Sequence, residues 1–375
     1  MQLSDLLTPA LVIDEGRMMR NIDRMRRRLS DLRVGFRPHV KTSKSIDVSR
    51  RLMASARGPI TVSTLEEAEQ FHADGVTDIL YAVGIVPGKL TRVADLRARG
   101  CDLMVILDSV DAARAVSTYC AAHRCEIPAL IEIDSDDHRG GVKPEGPALV
   151  PIAVAMTDGA TIRGVMTHAG GSYACRSTDA IAAMAEQERA AVVRAAARLR
   201  EAGFEAPIVS VGSTPTATFA RDLTGVTEVR AGVFVFQDLV MAGLGVCAVD
   251  DIALSVLVSI IGHQPEKGWI ITDGGWMATS RDRGTARQRV DQGYGIVLDV
   301  DGRVLEGFVM SDANQEHGVI SRRDAGMIDW ASFPVGAQLR ILPNHACATA
   351  AQHADYHVVN GSRDVIARWE RFGGW

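Results

Sequence analysis

The sequence of 375 residues has little of what marks several common classes of protein. Its net charge is −5, so it lacks the excess of basic residues that a nucleic-acid-binding face needs. No apolar run reaches the roughly 18 residues that a membrane helix requires. The N-terminus, MQLSDLLTPALVID, lacks the basic segment and long apolar stretch of a signal peptide. These absences predict a cytoplasmic protein that binds neither nucleic acid nor membranes.

Cysteine is also sparse. Six cysteines are scattered along the chain and none forms a CxxC motif, so we expect reduced thiols rather than a disulfide framework. The chain contains no short internal repeat and no low-complexity segment. Apolar residues make up 47% and charged residues 23%, which is typical of a globular protein with a normal core. The length is enough for two domains, or for one large barrel with an extension.

From about residue 17, strand-like apolar runs alternate with stretches of helical periodicity. The first run is VGFRPHV (34–40) and the eighth is TEVRAGVFVF (227–236). Parallel strands that are buried on both faces give near-continuous apolar runs of this kind. Eight such units predict a (β/α)8 barrel, with a doubly wound sheet as the alternative.

The pattern changes after about residue 245. Short apolar runs such as ALSVLVSIIGH and GYGIVLDV lie between turns that contain Gly, Asp and Asn. This pattern predicts a mostly antiparallel β domain. We therefore predict a barrel domain over 15–244 and a β domain formed by 1–14 together with 245–375.

Polar residues follow many of the predicted barrel strands. The active site of a (β/α)8 barrel lies at the carboxyl ends of its strands. Each such residue alone is more often solvated or hydrogen-bonded than catalytic, but their recurrence at equivalent positions favours a site. They are His39, Lys41, Ser63, Asp134, Arg139, His168, the GSTPT segment from Gly212 to Thr216, and Arg230 with Gly232.

The segment VGSTPTATF suggests an anion site. A strand ends at Gly212 and a short helix follows, and the N–H groups at a helix N-terminus attract anions. Barrels often hold phosphate after strands seven and eight. The alternative is that Ser213 or Thr214 is an ordinary N-cap. A phosphate site opposite a lysine at the end of the first strand suggests pyridoxal 5'-phosphate (PLP), which needs a lysine for covalent attachment and an anchor for its phosphate.

Five segments together resemble a known family: TPALVID, RPHVKTSK, THAGGSYA, VGSTPT and EVRAGVFVFQD. They are similar to segments of the fold-type III PLP enzymes related to D-threonine aldolase and D-serine dehydratase. The resemblance extends from Thr8 to His357. It implies an alanine racemase-like barrel, a C-terminal β domain, and Lys41 as the residue that carries PLP. The predicted cofactor-binding residues are Lys41, His39, Ser63, Arg139, His168, Tyr173, Gly212, Ser213, Thr214 and Gly232.

The segment PNHACATAAQH predicts a metal site. His345 and Cys347 are two residues apart, and we expect them on one side of a strand or loop. Imidazole and thiolate together suit zinc, although H-x-C alone is a weak metal signal. Within the family, D-threonine aldolases carry H-x-D here, whereas D-serine dehydratase and D-threo-3-hydroxyaspartate dehydratase carry H-x-C. The resemblance therefore implies a divalent metal on His345 and Cys347, with zinc expected and manganese or cobalt as alternatives.

Two further segments bear on the substrate. DGGWMATSRDRGT (273–285) resembles the dehydratases, whereas SYACRS follows Gly171, where a larger polar residue is expected. The predicted function is a D-3-hydroxy amino acid dehydratase in which Lys41, His345 and Cys347 are catalytic. We expect a homodimer. The substrate stays open between D-serine, D-threonine and 3-hydroxyaspartate.

Three alternatives remain at this point. The first is a metal-dependent D-threonine-type aldolase that gives glycine and an aldehyde. The second is an amino-acid racemase, which needs no metal but a second base. The third is a PLP carrier without enzymatic activity, against which the additional β domain argues.

Overall fold

The chain folds as two compact units. The structure, a computed structural model, describes residues 1–375. One unit combines Met1–Asp23 with Val233–Phe372, and the other combines Arg24–Gly232 with Gly373–Trp375. We call the first the β unit and the second the barrel unit. No helix in the structure has both the length and the apolar character needed to cross a membrane.

Strands and short helices account for most of the regular structure. The strands are β1 (Ala10–Asp14), β2 (Gly35–Phe36), β3 (Ile60–Val62), β4 (Asp78–Gly84), β5 (Asp102–Leu107), β6 (Ile127–Ile133), β7 (Ala160–Thr167), β8 (Ile208–Val211), β9 (Glu228–Val229), β10 (Leu254–Gln264), β11 (Trp269–Thr272), β12 (Gly295–Leu298), β13 (Val304–Ala313), β14 (Gly318–Arg322), β15 (Gln338–Leu342), β16 (Asp355–Val359) and β17 (Ala367–Glu370). The α-helices are α1 (Glu15–Asp31), α2 (Ile46–Leu52), α3 (Leu65–Ala73), α4 (Leu90–Ala98), α5 (Val110–His123), α6 (Leu149–Val154), α7 (Thr178–Glu201), α8 (Thr214–Phe219), α9 (Leu239–Gly243), α10 (Trp276–Thr279) and α11 (Ala346–Ala350).

The barrel unit contains one parallel sheet of eight strands in the order β2-β9-β8-β7-β6-β5-β4-β3. The segment after β2 closes the ring, because His39 pairs with Thr61 of β3 and the Thr61 N–H donates to the Pro38 carbonyl at 2.8 Å. Helices α2 to α8 follow strands β2 to β8 in turn. The predicted (β/α)8 barrel is confirmed.

An apolar cluster fills one face of the barrel sheet. Its members come from four neighbouring strands, and each is at most 2% exposed. Burial of a side chain of this size stabilises the fold by about 1.5–3 kcal/mol. The cluster consists of Leu80, Met104, Ile106, Leu130 and Met166.

Two buried arginines interrupt this apolar interior. Arg37 and Arg230 are each 4% exposed. Arg37 forms ion pairs with Glu228 (Nε–Oε2, 2.8 Å) and Asp78 (Nη1–Oδ1, 2.6 Å). The second oxygen of Glu228 accepts from the Ser210 hydroxyl at 2.8 Å, and that hydroxyl lies 2.5 Å from Nη1 of Arg230. The two buried cations thus share one hydrogen-bonded chain, which we call the barrel charge chain.

The β unit contains a nine-stranded sheet in the order β11-β14-β13-β12-β15-β10-β1-β16-β17. Strand β10 also pairs with β11, so six of these strands close into an antiparallel barrel. Strand β1 pairs antiparallel with β10 and parallel with β16. The predicted mostly antiparallel C-terminal β domain is confirmed.

The eighth barrel strand is shorter than predicted. Strand β9 contains only Glu228–Val229, and Val233–Val235 forms a 3-10 turn instead of continuing the strand. Gly232 lies between them. A Cβ at Gly232 would be only 2.9 Å from the backbone oxygen of His39, so the two backbones approach too closely for any larger residue.

Removing one charge from the barrel charge chain should destabilise the protein. Glu228→Gln keeps the shape of the side chain but leaves Arg37 with Asp78 alone. Loss of one partner from a buried pair costs about 3–5 kcal/mol, and we expect the lower end because Asp78 remains. The measurement is the free energy of unfolding in urea. Asp179→Asn is the control: it breaks an ion pair with Arg221 in which both side chains are over three-quarters exposed, and should cost less than about 1 kcal/mol.

Candidate active site

Lys41 lies on a single 3-10 turn, Val40–Thr42, directly after the first barrel strand. His39 precedes this turn, and its Nδ1 accepts from the Lys41 backbone N–H at 3.4 Å. The His39 N–H donates to the Ala231 carbonyl at 2.8 Å, which ties the turn to the end of the eighth strand. Val40 and Thr42 are buried whereas Lys41 is exposed, so the amine is accessible.

His168 follows β7 and carries a defined tautomer. Its Nδ1 lies 2.8 Å from the Gly212 carbonyl oxygen. Since a carbonyl can only accept, Nδ1 carries the proton, and Nε2 keeps its lone pair in the neutral ring. The Tyr173 ring lies near His168, with its centroid 6.2 Å from that of the imidazole.

Both imidazoles are neutral at physiological pH. Burial and repulsion by Lys41 and Arg230 lower the pKa of His39 well below its usual range. Burial lowers the pKa of His168 to about 3: the hydrogen bond to Gly212 opposes this, while repulsion by Lys41, Arg139 and Arg230 adds to it. The same cations act on both rings, so Lys41, His39 and His168 form one electrostatic group.

The GSTPT segment is held by its own hydrogen bonds. Ser213 is the N-cap of α8: its hydroxyl accepts from the Thr216 N–H at 3.1 Å, and the Thr216 hydroxyl accepts from the Ser213 N–H at 3.1 Å. The Ser213 hydroxyl also lies 3.0 Å from that of Ser172. The N-cap interpretation of Ser213 is therefore confirmed. Capping fixes the backbone of the segment, which an anion site also requires.

Glu188 on α7 joins the ends of two strands, and sequence reasoning missed it. Its Oε1 accepts from the N–H groups of Ala169 and Gly212, each at 3.0 Å. The side chain is 2% exposed, and burial raises the pKa of its carboxyl group. Glu188 thus holds the backbone at Ala169, which is next to His168, and at Gly212, which begins the GSTPT segment. A glutamate on a long helix rich in Ala, Arg and Glu is indistinguishable from a solvated one in sequence.

Two predicted residues have side-chain partners outside the group around Lys41. The Ser63 hydroxyl donates to Oε1 of Glu67 at 2.7 Å, and Glu67 also pairs with Lys44 at 3.1 Å. Ser63 thus supports the N-terminus of α3, and its predicted contact with the cofactor stays a prediction. The Arg139 side chain is 55% exposed and lies 3.8 Å from Glu132, so its contribution to the group is electrostatic.

His345 and Cys347 lie in the β unit, at the start of a short helix. The prediction of a strand or loop was wrong for Cys347: His345 is the N-cap of α11, and Cys347 belongs to its first turn. A helix of five residues is too short to show a period in sequence. Residues two apart do not face each other within a helix. The extended backbone of His345 at the cap allows the two side chains to form a hydrogen bond.

A carboxylate orients His345. Its Nδ1 lies 2.6 Å from Oδ2 of Asp282. Burial alone would lower the pKa of His345, but the hydrogen bonds with Asp282 and Cys347 raise it to about 11. The structure contains no group of three or more His, Cys, Asp or Glu side chains arranged to hold a metal ion. The predicted metal pair is thus a two-residue set with a carboxylate behind it.

Comparison with known proteins assigns the family. The alanine racemase N-terminal domain matches residues 13–239, and the putative serine dehydratase domain matches residues 253–359. A D-threo-3-hydroxyaspartate dehydratase from Delftia sp. (strain HT23) is 54% identical, over 100% of this chain and 99% of that protein. The chain belongs to the fold-type III enzyme family of that dehydratase. This confirms the predicted resemblance, and this member of the family is a lyase.

Solved structures of the family agree with this fold. The Delftia dehydratase superimposes with a TM-score of 0.97 at 54% identity, over 100% of both chains. Variants of a D-threo-3-hydroxyaspartate dehydratase with a histidine or a cysteine changed to alanine are also known, the latter in a metal-free form. A D-serine dehydratase from Dictyostelium discoideum is 29% identical over 100% of this chain and 98% of that protein. A D-threonine aldolase from Filomicrobium marinum has a TM-score of 0.83 at 25% identity, over 98% of this chain and 96% of that one.

The neutral state of His168 in this family member should appear in its stability as pH falls. The ordinary histidine pKa in an unfolded chain is near 6.5, whereas the folded value is about 3. Below about pH 6.5 the unfolded state therefore binds a proton at this histidine and the folded state does not. The free energy of unfolding then falls by up to about 1.4 kcal/mol for each pH unit of acidification. The measurement is the free energy of unfolding between pH 7 and 4.5. His168→Gln should show a shallower slope than the parent, and equal slopes would contradict the neutral assignment.

Proposed function

We propose that this enzyme is a PLP- and divalent-metal-dependent dehydratase (ammonia-lyase) of D-3-hydroxy amino acids that yields a 2-oxo acid and ammonia. The observation that carries the proposal is the exposed amine of Lys41, which follows the first barrel strand beside two neutral imidazoles. The 54% identity to a D-threo-3-hydroxyaspartate dehydratase supports the reaction and makes that amino acid the first substrate to test. D-Serine and D-threonine are the alternatives.

The residues around Lys41 fit PLP. Lys41 would bond to the cofactor covalently, and Gly212, Ser213 and Thr214 with Gly232 would hold its phosphate. Glu188 fixes the backbone at Gly212 by accepting its N–H, so Gly212 would offer the phosphate a close approach and not this donor. When bound, PLP supplies an electron sink for negative charge at the substrate Cα. The side chains proposed to surround its ring are His39, Arg139, His168 and Tyr173.

His345 and Cys347 fit a divalent metal. Because Nδ1 of His345 bonds to Asp282, Nε2 is the nitrogen that would bind the ion, together with the Cys347 sulfur. The histidine and the cysteine replaced in the D-threo-3-hydroxyaspartate dehydratase variants are also two residues apart, which supports the pairing. A thiolate ligand favours zinc over magnesium, with manganese and cobalt as alternatives. A bound ion supplies Lewis acidity toward the departing hydroxyl group.

We assign proton transfer in the proposed reaction to Lys41. Neutral His39 and His168 carry no excess proton at neutral pH, so neither is a ready general acid. The Lys41 amine is exposed and lies in the same electrostatic group, so it is the group that would take the α-proton of the substrate. His168 is positioned to accept a hydrogen bond at Nε2, because its Nδ1–H is bonded to Gly212.

Lys41→Ala should abolish covalent attachment of PLP and lower activity by at least about 10²–10⁴-fold, the usual contribution of a positioned proton-transfer group. Borohydride reduction of the parent followed by peptide mass spectrometry should place the cofactor on Lys41. Lys267→Ala, which removes an amine over the Trp269 ring in the other unit, is the control and should keep both label and activity. Labelling of another lysine in the parent would refute this assignment.

Metal removal should separate the reaction classes. Chelation with EDTA, or His345→Ala, should abolish dehydration while leaving the PLP absorption of the resting enzyme almost unchanged. The parent should release ammonia and 2-oxo acid in equal amounts from D-threo-3-hydroxyaspartate, D-serine or D-threonine. Glycine with an aldehyde would instead make the enzyme an aldolase. Full dehydration by the metal-free protein would refute the metal dependence, whereas interconversion of D- and L-amino acids without metal would make the enzyme a racemase.

A further inference from the structure

We infer that Asp282 is a positioning residue for the metal site, which holds the imidazole of His345 in the orientation that a divalent ion requires. The inference rests on the proposed function, since it needs an ion bound by His345 and Cys347. Nothing in the sequence pairs these residues, because 63 positions separate Asp282 from His345.

Asp282 is placed to orient rather than to coordinate. Its Oδ2 lies 2.6 Å from Nδ1 of His345, and its Oδ1 accepts from the Gly284 N–H at 2.8 Å. Both carboxylate oxygens are therefore engaged within the protein. A carboxylate bonded to one nitrogen of an imidazole fixes the tautomer and the ring plane, and leaves the other nitrogen for the metal.

The loop that carries Asp282 is bonded to the residue before His345. Asn344 is 2% exposed, and its Nδ2 donates to the backbone carbonyls of Asp282 (3.1 Å) and Gly293 (2.8 Å). Its Oδ1 accepts from the Thr285 hydroxyl at 2.8 Å. The Asn344 side chain thus holds the backbone of Asp282, in addition to the side-chain contact between Asp282 and His345. Their contact is therefore a fixed feature of the β unit.

A second carboxylate fixes the backbone between the two proposed ligands. Asp238 is 1% exposed; its Oδ2 accepts from the Ala346 N–H at 3.0 Å and its Oδ1 from the Met241 N–H at 2.9 Å. Ala346 lies between His345 and Cys347, so Asp238 sets the path of the chain while Asp282 sets the ring. Because Asp238 holds the backbone and Asp282 holds only the imidazole ring, we expect loss of Asp282 to change metal affinity with little effect on the fold.

This support matters more here than in a four-ligand site. With two protein ligands, each ligand supplies a larger share of the affinity, and disorder in one ring is not compensated by the others. Loss of a hydrogen-bond partner behind a metal-binding histidine usually weakens metal binding by about 10–100-fold. The segment Asp273–Thr285, which the sequence marks as distinctive, thereby gains a specific role.

The test is zinc affinity of the metal-free protein, measured by competition with a chromophoric chelator at one pH. Asp282→Ala should bind zinc about 10–100-fold more weakly than the parent. Asp282→Asn is isosteric, and its amide oxygen can still accept from Nδ1–H, so its affinity should lie between those of the parent and Asp282→Ala. Asp250→Ala removes one exposed carboxylate from the same unit and should leave the affinity unchanged. Circular dichroism and the thermal midpoint verify folding, and Asp282→Asn decides the matter if the alanine variant unfolds.

The outcomes separate this inference from the proposed function. Parent affinity in Asp282→Ala would overturn the inference while leaving the metal site intact. If Asp250→Ala lost as much zinc affinity as Asp282→Ala, the effect would reflect general attraction of the cation by negative charge. That result would also overturn the inference about Asp282. A parent protein that binds no zinc, or whose binding survives His345→Ala, would overturn the proposed metal site together with this inference.

Discussion

The ion pair between Arg37 and Glu228 joins the first and eighth strands of the barrel, where the backbone ladder is short. Strands β2 and β9 each contain only two residues, although the N–H groups of Gly35, Arg37 and His39 donate across the seam. A buried ion pair adds little compared with an apolar pair of the same volume, but it is costly to break. The pair therefore reinforces the backbone bonds that set the register at the seam, and Lys41 follows four residues after Arg37. The position of the Lys41 amine depends on this closure.

The same chain of contacts supplies a permanent cation below the site. Glu228 reaches Arg230 through Ser210, and Arg230 also donates to the Thr167 carbonyl. An isolated buried guanidinium would be expensive, so these partners are what allow Arg230 to stay charged. Burial, together with the charges of Lys41 and Arg230, keeps His39 and His168 neutral. A structural network in the barrel interior thus contributes to the protonation state at the carboxyl ends of the strands.

The parts of this fold that sequence predicts are those with a physical period or a buried run. Eight apolar runs separated by helices could be counted, and polar residues at their ends could be aligned. The contacts of Glu188, Asp282 and Ser63 could not be found this way. Glu188 and Asp282 act across long stretches of chain, and a charged residue has the same appearance in sequence whether it is solvated or buried. The contact of Ser63 has a local origin, because a strand end and a helix start coincide there and Glu67 accepts a hydrogen bond from its hydroxyl.

Two histidines show why residue type alone does not assign a role. Burial among cations lowers the pKa of His168 to about 3, whereas hydrogen bonds with Asp282 and Cys347 outweigh burial and raise that of His345 to about 11. Divergent environments of this kind give residues of one type different roles. The first ring is fixed as a neutral hydrogen-bonding group beside Lys41. The second is held in one orientation by the carboxylate of Asp282, which bonds to its Nδ1 and leaves Nε2 as its other nitrogen.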